Sequence, residues 1–519
     1  MKQFIQRLGS SVCGVLQGFD RLRLRGTKRL LASVRGMGSY LFQRHIFLKD
    51  FKAHALEFTE QIRQATEKVA ANASRPVRYL ASSSQDKEAL ARELAGRDGI
   101  CQGLVGVFSC VEPCWTYEIH RNRATKHIDL QGGIRKCLHY YHYFLDPQLG
   151  LLHARLQTWF PFTMHVCLNG REWLACQLRA ANIGHVQRDN CLVAVEDCAR
   201  AQALLDEQLR TDWPGLLARI ARQVNPVEEE LFAACPVPYY WSVDQSEWAT
   251  DVLFRSAAEL ARWYPRWLRH GLETLHSRDV LRFLGKKVPA QGYGALTSEV
   301  TTDLKERPEG LRIKHRLNHN SIKMYDKQGS VLRVETTIND ARDMKVFRPK
   351  EGDEEGTKEW RYLRKGIADL HRRAEVSQAA NERYLESLAA VEATTPLEQL
   401  TAPLCRAVRW KGQAVRALNP LAADDGALLQ AVNHGEFAIN GFRNRDLRRL
   451  LYGHSPATPE QTRKVSAKVT RQLRLLRAHG LIRKVPKTHR YVLTDHGRTT
   501  ITAILAARQA DTATLTKVA

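Results

Sequence analysis

Hydrophobic and polar positions alternate with helical spacing between residues 462 and 477. Four apolar residues recur there at intervals of three or four positions, namely Val465, Val469, Leu473 and Leu476. Such spacing places them on one face of a helix. Gly480 ends the periodic stretch, and the alternating run 491–494 follows a short apolar pair and a basic turn. The pattern predicts a helix followed by a two-stranded hairpin.

Similar patterns divide the whole chain into five regions. We predict a basic helical region over 1–75, a mixed α/β sheet domain over 76–180, a helical region over 181–300, a β-hairpin core with a long helix over 301–395, and a separate domain over 401–519. The stretch 393–403 has the composition of a linker and predicts a boundary near residue 395. The expected fold class is α+β (mixed α/β), with a central mixed sheet and helical insertions.

Local patterns refine this outline at three places. Residues 76–111 have the pattern of strand, helix and strand, which predicts a parallel pair with a right-handed crossover. The segments that follow, up to about residue 170, are expected to add antiparallel strands to the same sheet. Within the predicted helical region 1–75, the segment 18–31 fits the start of a strand equally well, and the pattern leaves both open.

Positive charge is concentrated at the two ends of the chain. Residues 1–50 contain 10 Lys or Arg against 2 Asp or Glu, residues 401–519 contain 21 against 7, and the whole chain has a net charge of +24. Such ends favour a polyanionic partner. DNA is the partner we expect, RNA stays open, and no membrane partner is expected because the N-terminal basic cluster lacks a second lipid signal.

The predicted C-terminal helix carries cations on the arc opposite its apolar face. Together with the cations of the following turn they form the candidate nucleic-acid-binding set: Arg463, Lys464, Lys468, Arg471, Arg474, Arg477, Lys484, Lys487 and Arg490. A cationic helix can enter the major groove of DNA, and a basic turn can hold phosphates. The segment resembles the winged-helix DNA-binding fold, which implies duplex DNA as its ligand. The alternative is a solvated basic face on a protein–protein interaction module.

A second candidate site lies on the two strands that flank the Gln328-Gly329 turn, which are expected to pair as a hairpin. If their polar faces coincide, several reactive side chains converge on one side of the sheet. The candidate catalytic set is Lys323, Tyr325, Asp326, Arg333 and Glu335. Such a group can bind a backbone phosphate, with Tyr325 as nucleophile and with Asp326 and Glu335 as ligands of Mg²⁺ or Mn²⁺.

The same hairpin, "KMYDK" followed by "LRVE", resembles the YDK…RxE hairpin of the rolling-circle replication initiators of plasmids and filamentous phages. Those enzymes nick one DNA strand with a tyrosine and a divalent metal. The resemblance implies a DNA-binding protein of a mobile or replicating element, a nickase in which Tyr325 attacks the phosphate. The chain as a whole also resembles a family that recurs in bacterial genomes, which implies no mechanism.

Two alternatives to a nickase stay open. The first is a non-enzymatic winged-helix regulator or architectural protein, in which the central regions serve as scaffold and homodimer surface. The second is a ribonuclease, because Arg364 and His371 lie seven residues apart on a predicted helix, on one face. That pair is similar to the Arg…His signature of a class of helical ribonucleases that cleave without metal.

Eleven cysteines, an odd number scattered along a large chain, do not indicate a disulfide framework. One grouping contains metal-ligand residue types: Cys110, Cys114, Cys137, His139 and His142. Because the tight second pair of a usual zinc site is missing, zinc is not the expected cofactor. No stretch approaches 18 consecutive apolar residues, so a cytoplasmic location is expected.

Overall fold

The structure is a computed structural model that describes residues 1–286, 300–308, 310–350, 352–353, 355–389, 397–434, 437, 441–453, 458–486 and 488–510. The chain divides into two compact units. The sheet unit comprises Gly9–Tyr264 and Thr301–Asn381, and the C-terminal unit comprises Met1–Leu8, Pro265–Val300 and Glu382–Ala519. Lys487 of the candidate binding set and the boundary predicted near residue 395 lie outside the described residues.

Strands and helices are both abundant, so the expected α+β class is confirmed. The strands are β1 (Val12–Lys28), β2 (Val77–Tyr79), β3 (Gly103–Arg121), β4 (Ile128–Asp146), β5 (Gly150–Gln157), β6 (Met164–Asn169), β7 (His185–Gln187), β8 (Leu192–Val195), β9 (Tyr239–Phe254), β10 (Val300–Arg307), β11 (Gly310–Leu317), β12 (Asn320–Lys327), β13 (Val331–Ile338), β14 (Lys345–Arg348), β15 (Glu359–Tyr362), β16 (Val408–Trp410), β17 (Gln413–Val415), β18 (Ile482–Lys484) and β19 (Tyr491–Leu493).

The helices are α1 (Lys2–Leu8), α2 (Val34–Gln43), α3 (Phe51–Asn72), α4 (Lys87–Arg97), α5 (Gly170–Ala180), α6 (Cys198–Gln208), α7 (Trp213–Val224), α8 (Glu228–Leu231), α9 (Ala257–Glu273), α10 (Ser277–Phe283), α11 (Leu370–Leu388), α12 (Leu397–Thr401), α13 (Ala423–Val432), α14 (Asn444–Tyr452), α15 (Pro459–Ala478) and α16 (Asp495–Gln509). Within the described ranges, no helix is long and apolar enough to cross a membrane.

The sheet unit is organised around one large sheet, which has eleven strands among the described residues. Its strand order is β10-β11-β12-β13-β9-β1-β6-β5-β4-β3-β2. As the sequence predicted, β2 runs parallel to β3 with α4 between them, and β4, β5 and β6 follow as antiparallel neighbours. The predicted pairing of β12 with β13 is also confirmed.

The centre of this sheet is formed by β1 and β9, which pair with each other along most of their length. β9 lies in the region 181–300, and the prediction of helices there is wrong for these residues. β1 lies in the region 1–75, where the pattern left helix and strand open over 18–31, and the structure has a strand. In β1 the buried Leu22 and Leu24 alternate with the exposed Arg21 and Arg23, which is the period of a strand. In β9 every residue after Trp248 is buried. A strand that is buried on both faces lacks the alternation of a half-exposed strand, so its sequence fitted a buried helix equally well.

Different helices pack against the two faces of the sheet. On one face the apolar side chains of β1, β5 and β6 pack beneath α2, α3 and α7 in the largest core of the unit. On the other face α5 and α6 cover Leu253 and Val331, while α4 covers Phe108 and Tyr141. Arg333 and Glu335 of β13 lie on this second face, because they alternate along the strand in step with Val331, and we call it the polar face.

The C-terminal unit contains a compact arrangement of α13, α14, α15, β18, β19 and α16 around one apolar core. Phe442, just before α14, forms an isolated antiparallel bridge with Tyr491 of β19. The order along this part of the chain is therefore helix, bridge, helix, helix and hairpin.

Candidate nucleic-acid interface and carboxylate cluster

Local sequence fixes both the start and the orientation of α15. Thr458 caps the helix, with its hydroxyl accepting a hydrogen bond from the backbone N–H of Gln461 at 3.3 Å, and Pro459 occupies the first turn. Val469, Leu473 and Leu476 are buried in the core of the C-terminal unit, as the sequence predicted, whereas Val465 is only half-buried. Because these residues lie on the inner face, the cationic residues of the helix lie on the outer arc.

The part of α15 up to Arg471 presents exposed cations. Arg463, Lys464, Lys468 and Arg471 are all exposed. Lys464 lies 2.8 Å from Glu460 on the same helix, and the ammonium of Lys468 lies 5.0 Å from the ring centre of Tyr452. Exposed pairs of this kind contribute about 0–1 kcal/mol, so they do not prevent the cations from binding another anion.

The second half of α15 has partners within the C-terminal unit. The guanidinium of Arg474 donates to the side-chain oxygen of Gln413. That of Arg477 lies over the ring of Trp410, 4.9 Å from its centre. Both arginines are half-buried. The hairpin β16–β17 therefore engages the two candidate residues that lie nearest the end of the helix.

The hairpin β18–β19 extends from the end of α15, with Arg483 opposite Val492 and Lys484 opposite Tyr491. Lys484 is exposed, and Arg490 of the candidate set is half-buried.

Sequence reasoning missed the contribution of α14 to the positively charged surface beside α15. Its exposed residues Arg445 and Arg449 add positive charge one turn apart. The side-chain amide of Asn444 donates to the carbonyl of Ser466 at 2.9 Å and to the hydroxyl of Thr470 at 2.9 Å, which ties the start of α14 to α15. The signal available in the sequence was the arginine-rich stretch 443–449, directly before the periodic helix.

The polar faces of β12 and β13 coincide, as the sequence analysis required for a site. Lys323 pairs directly with Glu335, and Tyr325 pairs with Arg333. Asp326 instead pairs with Leu332 and so lies on the opposite face of the sheet. The predicted metal pair of Asp326 and Glu335 therefore does not meet, because adjacent positions on a strand point to opposite faces.

Glu335 has other carboxylates as its neighbours. Oxygen atoms of Asp20, Glu247 and Glu335 lie within 4.8 Å of one another. The ammonium of Lys323 lies 2.5 Å from Glu335 and 3.4 Å from Glu247. Sequence reasoning missed Glu247 because it predicted helices around that residue. It missed Asp20 because the segment 18–31 was left open between helix and strand.

Arg333 is held by two buried aspartates. Its guanidinium donates to both oxygens of Asp251, at 2.6 and 2.9 Å, and to Asp20 at 2.7 Å. Arg171 of α5 lies 3.0 Å from Asp251. These contacts complete a set that we call the charge cluster: Asp20, Arg171, Glu247, Asp251, Lys323, Arg333 and Glu335.

A register shift in β1 explains how Asp20 joins the charge cluster. Phe19 pairs with Trp248 and Arg21 pairs with Glu247, so Asp20 is an extra residue without a partner on β9. A bulge of this kind redirects a side chain, and it lets Asp20 reach Arg333 on the polar face. The amide of Asn190 donates to both oxygens of Asp20 at 3.0 Å and holds the carboxylate in place.

Burial makes the electrostatics of the charge cluster unusual. It raises the pKa of Glu247 to about 7, and the nearby Glu335 carboxylate adds to the shift. Burial alone would lower the pKa of Lys323, yet Glu335 and Glu247 together raise it above its usual value. With four carboxylates and three cations, the cluster holds one negative charge in excess when all of its members are ionised. This excess is consistent with the high pKa of Glu247.

Tyr325 is poorly placed to act as a nucleophile. Its side chain is 7% exposed. Burial raises the pKa of its hydroxyl to about 12, and the carboxylate of Glu335 contributes to this shift. Both effects disfavour the phenolate, which is the reactive form.

The predicted ribonuclease pair is also separated. α11 begins at Leu370, so Arg364 lies in the loop before it, while His371 is exposed in its first turn. The guanidinium of Arg364 donates to both carboxylate oxygens of Asp369, at 2.9 and 3.1 Å. The expectation that Arg364 and His371 share one helical face is therefore wrong, because the helix starts later than the pattern indicated.

The five cysteines and histidines of the candidate zinc grouping do not all converge. Ligand atoms of Cys114, Cys137 and His139 lie within 4.8 Å of one another. Cys110 instead donates to Glu112, at 3.2 Å. His142 lies on the opposite face of β4 from His139, and complete burial lowers its pKa to about 3.

Comparison of the chain with protein-family models, with curated proteins and with solved structures gives no match.

Proposed function

We propose that the part of the C-terminal unit formed by residues 401–519 is a winged-helix domain that binds duplex DNA through α15 and the hairpin β18–β19. The observation that carries the proposal is the exposed cationic arc of α15, which lies directly opposite the buried stripe of the same helix. The order of helix, bridge, helix, helix and hairpin supports it, because this arrangement projects one helix from the domain with a hairpin beside it.

The part of α15 up to Arg471 is the one we expect to enter the groove. In related docking geometries the beginning of the recognition helix contacts base edges, while flanking elements contact phosphates. Arg463, Lys464, Lys468 and Arg471 are exposed there, whereas Arg474 and Arg477 already contact the hairpin β16–β17. Lys484 of β18 is placed to hold the flanking backbone.

Duplex DNA is favoured over duplex RNA for a geometric reason. The major groove of B-form DNA is about 12 Å wide and admits a helix, whereas that of A-form RNA is deep and narrow. Matched DNA and RNA duplexes of one sequence separate the two ligands. Equal affinity for both would contradict insertion of α15 into the major groove.

The affinity of the full chain for duplex DNA should fall steeply as salt rises. With four to six phosphate contacts, we expect log K to decrease against log salt with a slope of about −4 to −5. Fluorescence anisotropy of a labelled duplex at several salt concentrations measures this slope. Binding that does not depend on salt would contradict the proposal, because phosphate contacts release counterions.

A second candidate function is cleavage of a nucleic-acid strand at the charge cluster with the aid of Mg²⁺ or Mn²⁺. The observation that favours it is the convergence of Asp20, Glu247 and Glu335, with an excess of negative charge around Glu247. Carboxylate oxygens are the ligands these ions prefer. A bound ion would stabilise the charge that develops on the phosphate. Lys323 would move from its bridging position and neutralise the same charge from the side of β12.

This candidate differs from the nickase that the hairpin sequence resembles. The metal ligands are Asp20, Glu247 and Glu335 in place of Asp326 and Glu335. The raised pKa of Tyr325 disfavours a covalent intermediate on its hydroxyl. The link to replication initiators and to a mobile element stays a prediction from that resemblance.

A Glu247→Gln variant tests the cleavage candidate. We expect wild-type protein to nick supercoiled or single-stranded DNA in Mg²⁺ or Mn²⁺, and Glu247→Gln to do so about 10²-fold more slowly because a ligand for the ion is lost. Gel electrophoresis of the DNA measures both rates. Glu306→Gln, an exposed carboxylate on β10, is the matched control and should retain full activity.

Tyr325→Phe separates the two mechanisms of cleavage. We expect the variant to cleave at the wild-type rate. Neither wild type nor the variant should form a covalent protein–DNA adduct. An adduct that disappears in Tyr325→Phe would restore the nickase. If wild type binds DNA tightly but never cleaves it, the non-enzymatic regulator is the correct alternative.

A further inference from the structure

We propose that Cys114, Cys137 and His139 bind one zinc ion, with a fourth coordination position open to solvent. The three residues lie on the neighbouring strands β3 and β4, and their ligand atoms are within 4.8 Å of one another. Thiolate and imidazole are the ligands of zinc, and a set of two cysteines and one histidine with an open position is a known type of zinc site.

The hydrogen bonding of His139 prepares its ring for a metal. The Nδ1 atom lies 3.1 Å from the carbonyl oxygen of Cys137. Because a carbonyl can only accept, Nδ1 must carry the proton, and the Nε2 atom of the neutral ring keeps its lone pair free. Metal-ligating histidines usually donate their other N–H to such a group, which fixes the tautomer and the ring orientation.

The free nitrogen of His139 is itself an independent indication of a ligand. The side chain is 0% exposed, and its Nε2 atom has no hydrogen-bond partner among the residues that the structure describes. A buried polar atom without a partner costs about 1–3 kcal/mol. An ion bound by Nε2 would remove this cost, since the lone pair would then have a partner.

The distances allow tetrahedral coordination with small side-chain movements. With Zn–S bonds of about 2.3 Å and Zn–N bonds of about 2.0–2.1 Å, ligand atoms in a tetrahedral site lie about 3.5–3.8 Å apart. Separations of up to 4.8 Å shorten to this range through rotation of the two cysteine side chains. Cys137 is only half-buried, which gives an ion and the fourth ligand, a water, a path from solvent.

The pairing register of β3 and β4 explains why the spacing of ligands along the chain did not predict a zinc site. Zinc sites are usually recognised from two tight pairs of ligands, and here only Cys137 and His139 form such a pair. Cys114 is supplied by the neighbouring strand β3. It pairs with Arg135, two positions before Cys137 on β4. The pairing of β3 with β4 brings the third ligand to the other two.

The test is the zinc content of full-length protein purified under reducing conditions and then loaded with zinc and desalted. We expect about one equivalent of zinc in wild type that is lost in Cys114→Ser and in Cys137→Ser. Elemental analysis by mass spectrometry measures the metal. Cys191→Ser, a buried thiol in a separate core cluster, is the matched control and should retain zinc.

Cobalt gives a second measurement that does not depend on the folding of a variant. Titration of metal-free wild type with Co²⁺ should produce thiolate-to-cobalt absorption that saturates at about one equivalent and disappears when zinc is added. The proposal is overturned if reduced wild type retains less than about 0.1 equivalents of zinc and shows no such absorption. It is also overturned if Cys114→Ser retains as much zinc as wild type, or if the two cysteines are found only as a disulfide and bind no metal after reduction.

Discussion

Replacing Arg463, Lys468 and Arg471 together by glutamate should lower the affinity of the protein for duplex DNA about 10³-fold at moderate salt. Each reversal removes a cation near the phosphates and adds a repelling charge, and about tenfold per site is a modest expectation. The three side chains are exposed, so the fold should not change. Anisotropy titrations of wild type and variant measure the loss, and the salt slope of the variant should be smaller as well.

A variant with the same net charge provides the control. Arg200, Arg210 and Arg222 are exposed arginines of the sheet unit, and their replacement by glutamate changes the total charge equally. This control should lose little affinity if α15 is the binding surface. Equal losses in both variants would mean that DNA responds only to the overall charge of the protein, and the winged-helix proposal would then fail.

Arg333→Met should destabilise the sheet unit by about 3–5 kcal/mol. The substitution leaves the buried carboxylates of Asp20 and Asp251 without the guanidinium that binds both of them. Removing one partner of a buried ion pair lowers the free energy of unfolding by about this amount, because the charge of the other partner stays buried without compensation. Urea unfolding of wild type and variant, monitored by tryptophan fluorescence, measures the difference.

The exposed pair of Arg342 and Asp340 provides the control for this measurement. Both pairs join an arginine to an aspartate at short distance, but the side chain of Arg342 is 77% exposed. Arg342→Met should therefore change the stability far less than Arg333→Met does. Similar costs for Arg333→Met and Arg342→Met would show that the charge cluster is not isolated from water, and its proposed electrostatics would need revision.

Local patterns were enough to predict α15 and the hairpin β12–β13. Both are defined by residues close in sequence: the stripe of Val469, Leu473 and Leu476 in one case, and a turn between two alternating strands in the other. Their side-chain orientation followed directly from helical or strand periodicity. For this reason the sequence could state the condition for convergence, namely that the polar faces of the two strands coincide, and the pairing of Lys323 with Glu335 meets it.

The rest of the charge cluster depends on contacts that no local pattern contains. Asp20 and Glu247 come from β1 and β9, which pair across more than 200 residues of sequence. The direction of Asp20 further depends on a bulge, which is defined only when the partner strand is present. Likewise, the engagement of Arg474 and Arg477 by the hairpin β16–β17 required the tertiary packing of the C-terminal unit.

The long separation between β1 and β9 has a consequence for biosynthesis. Lys28 pairs with Tyr239 and Val12 pairs with Phe254, so the central pair of the sheet cannot form until the chain has been translated past β9. At about 5–20 residues per second, the ribosome releases β1 roughly 10–45 s before its partner. During that interval the apolar residues of β1 have no strand beside them on the side of β9. Nascent chains and shortened fragments that end before residue 239 are therefore expected to need chaperones, whereas fragments that include β9 can complete the centre of the sheet.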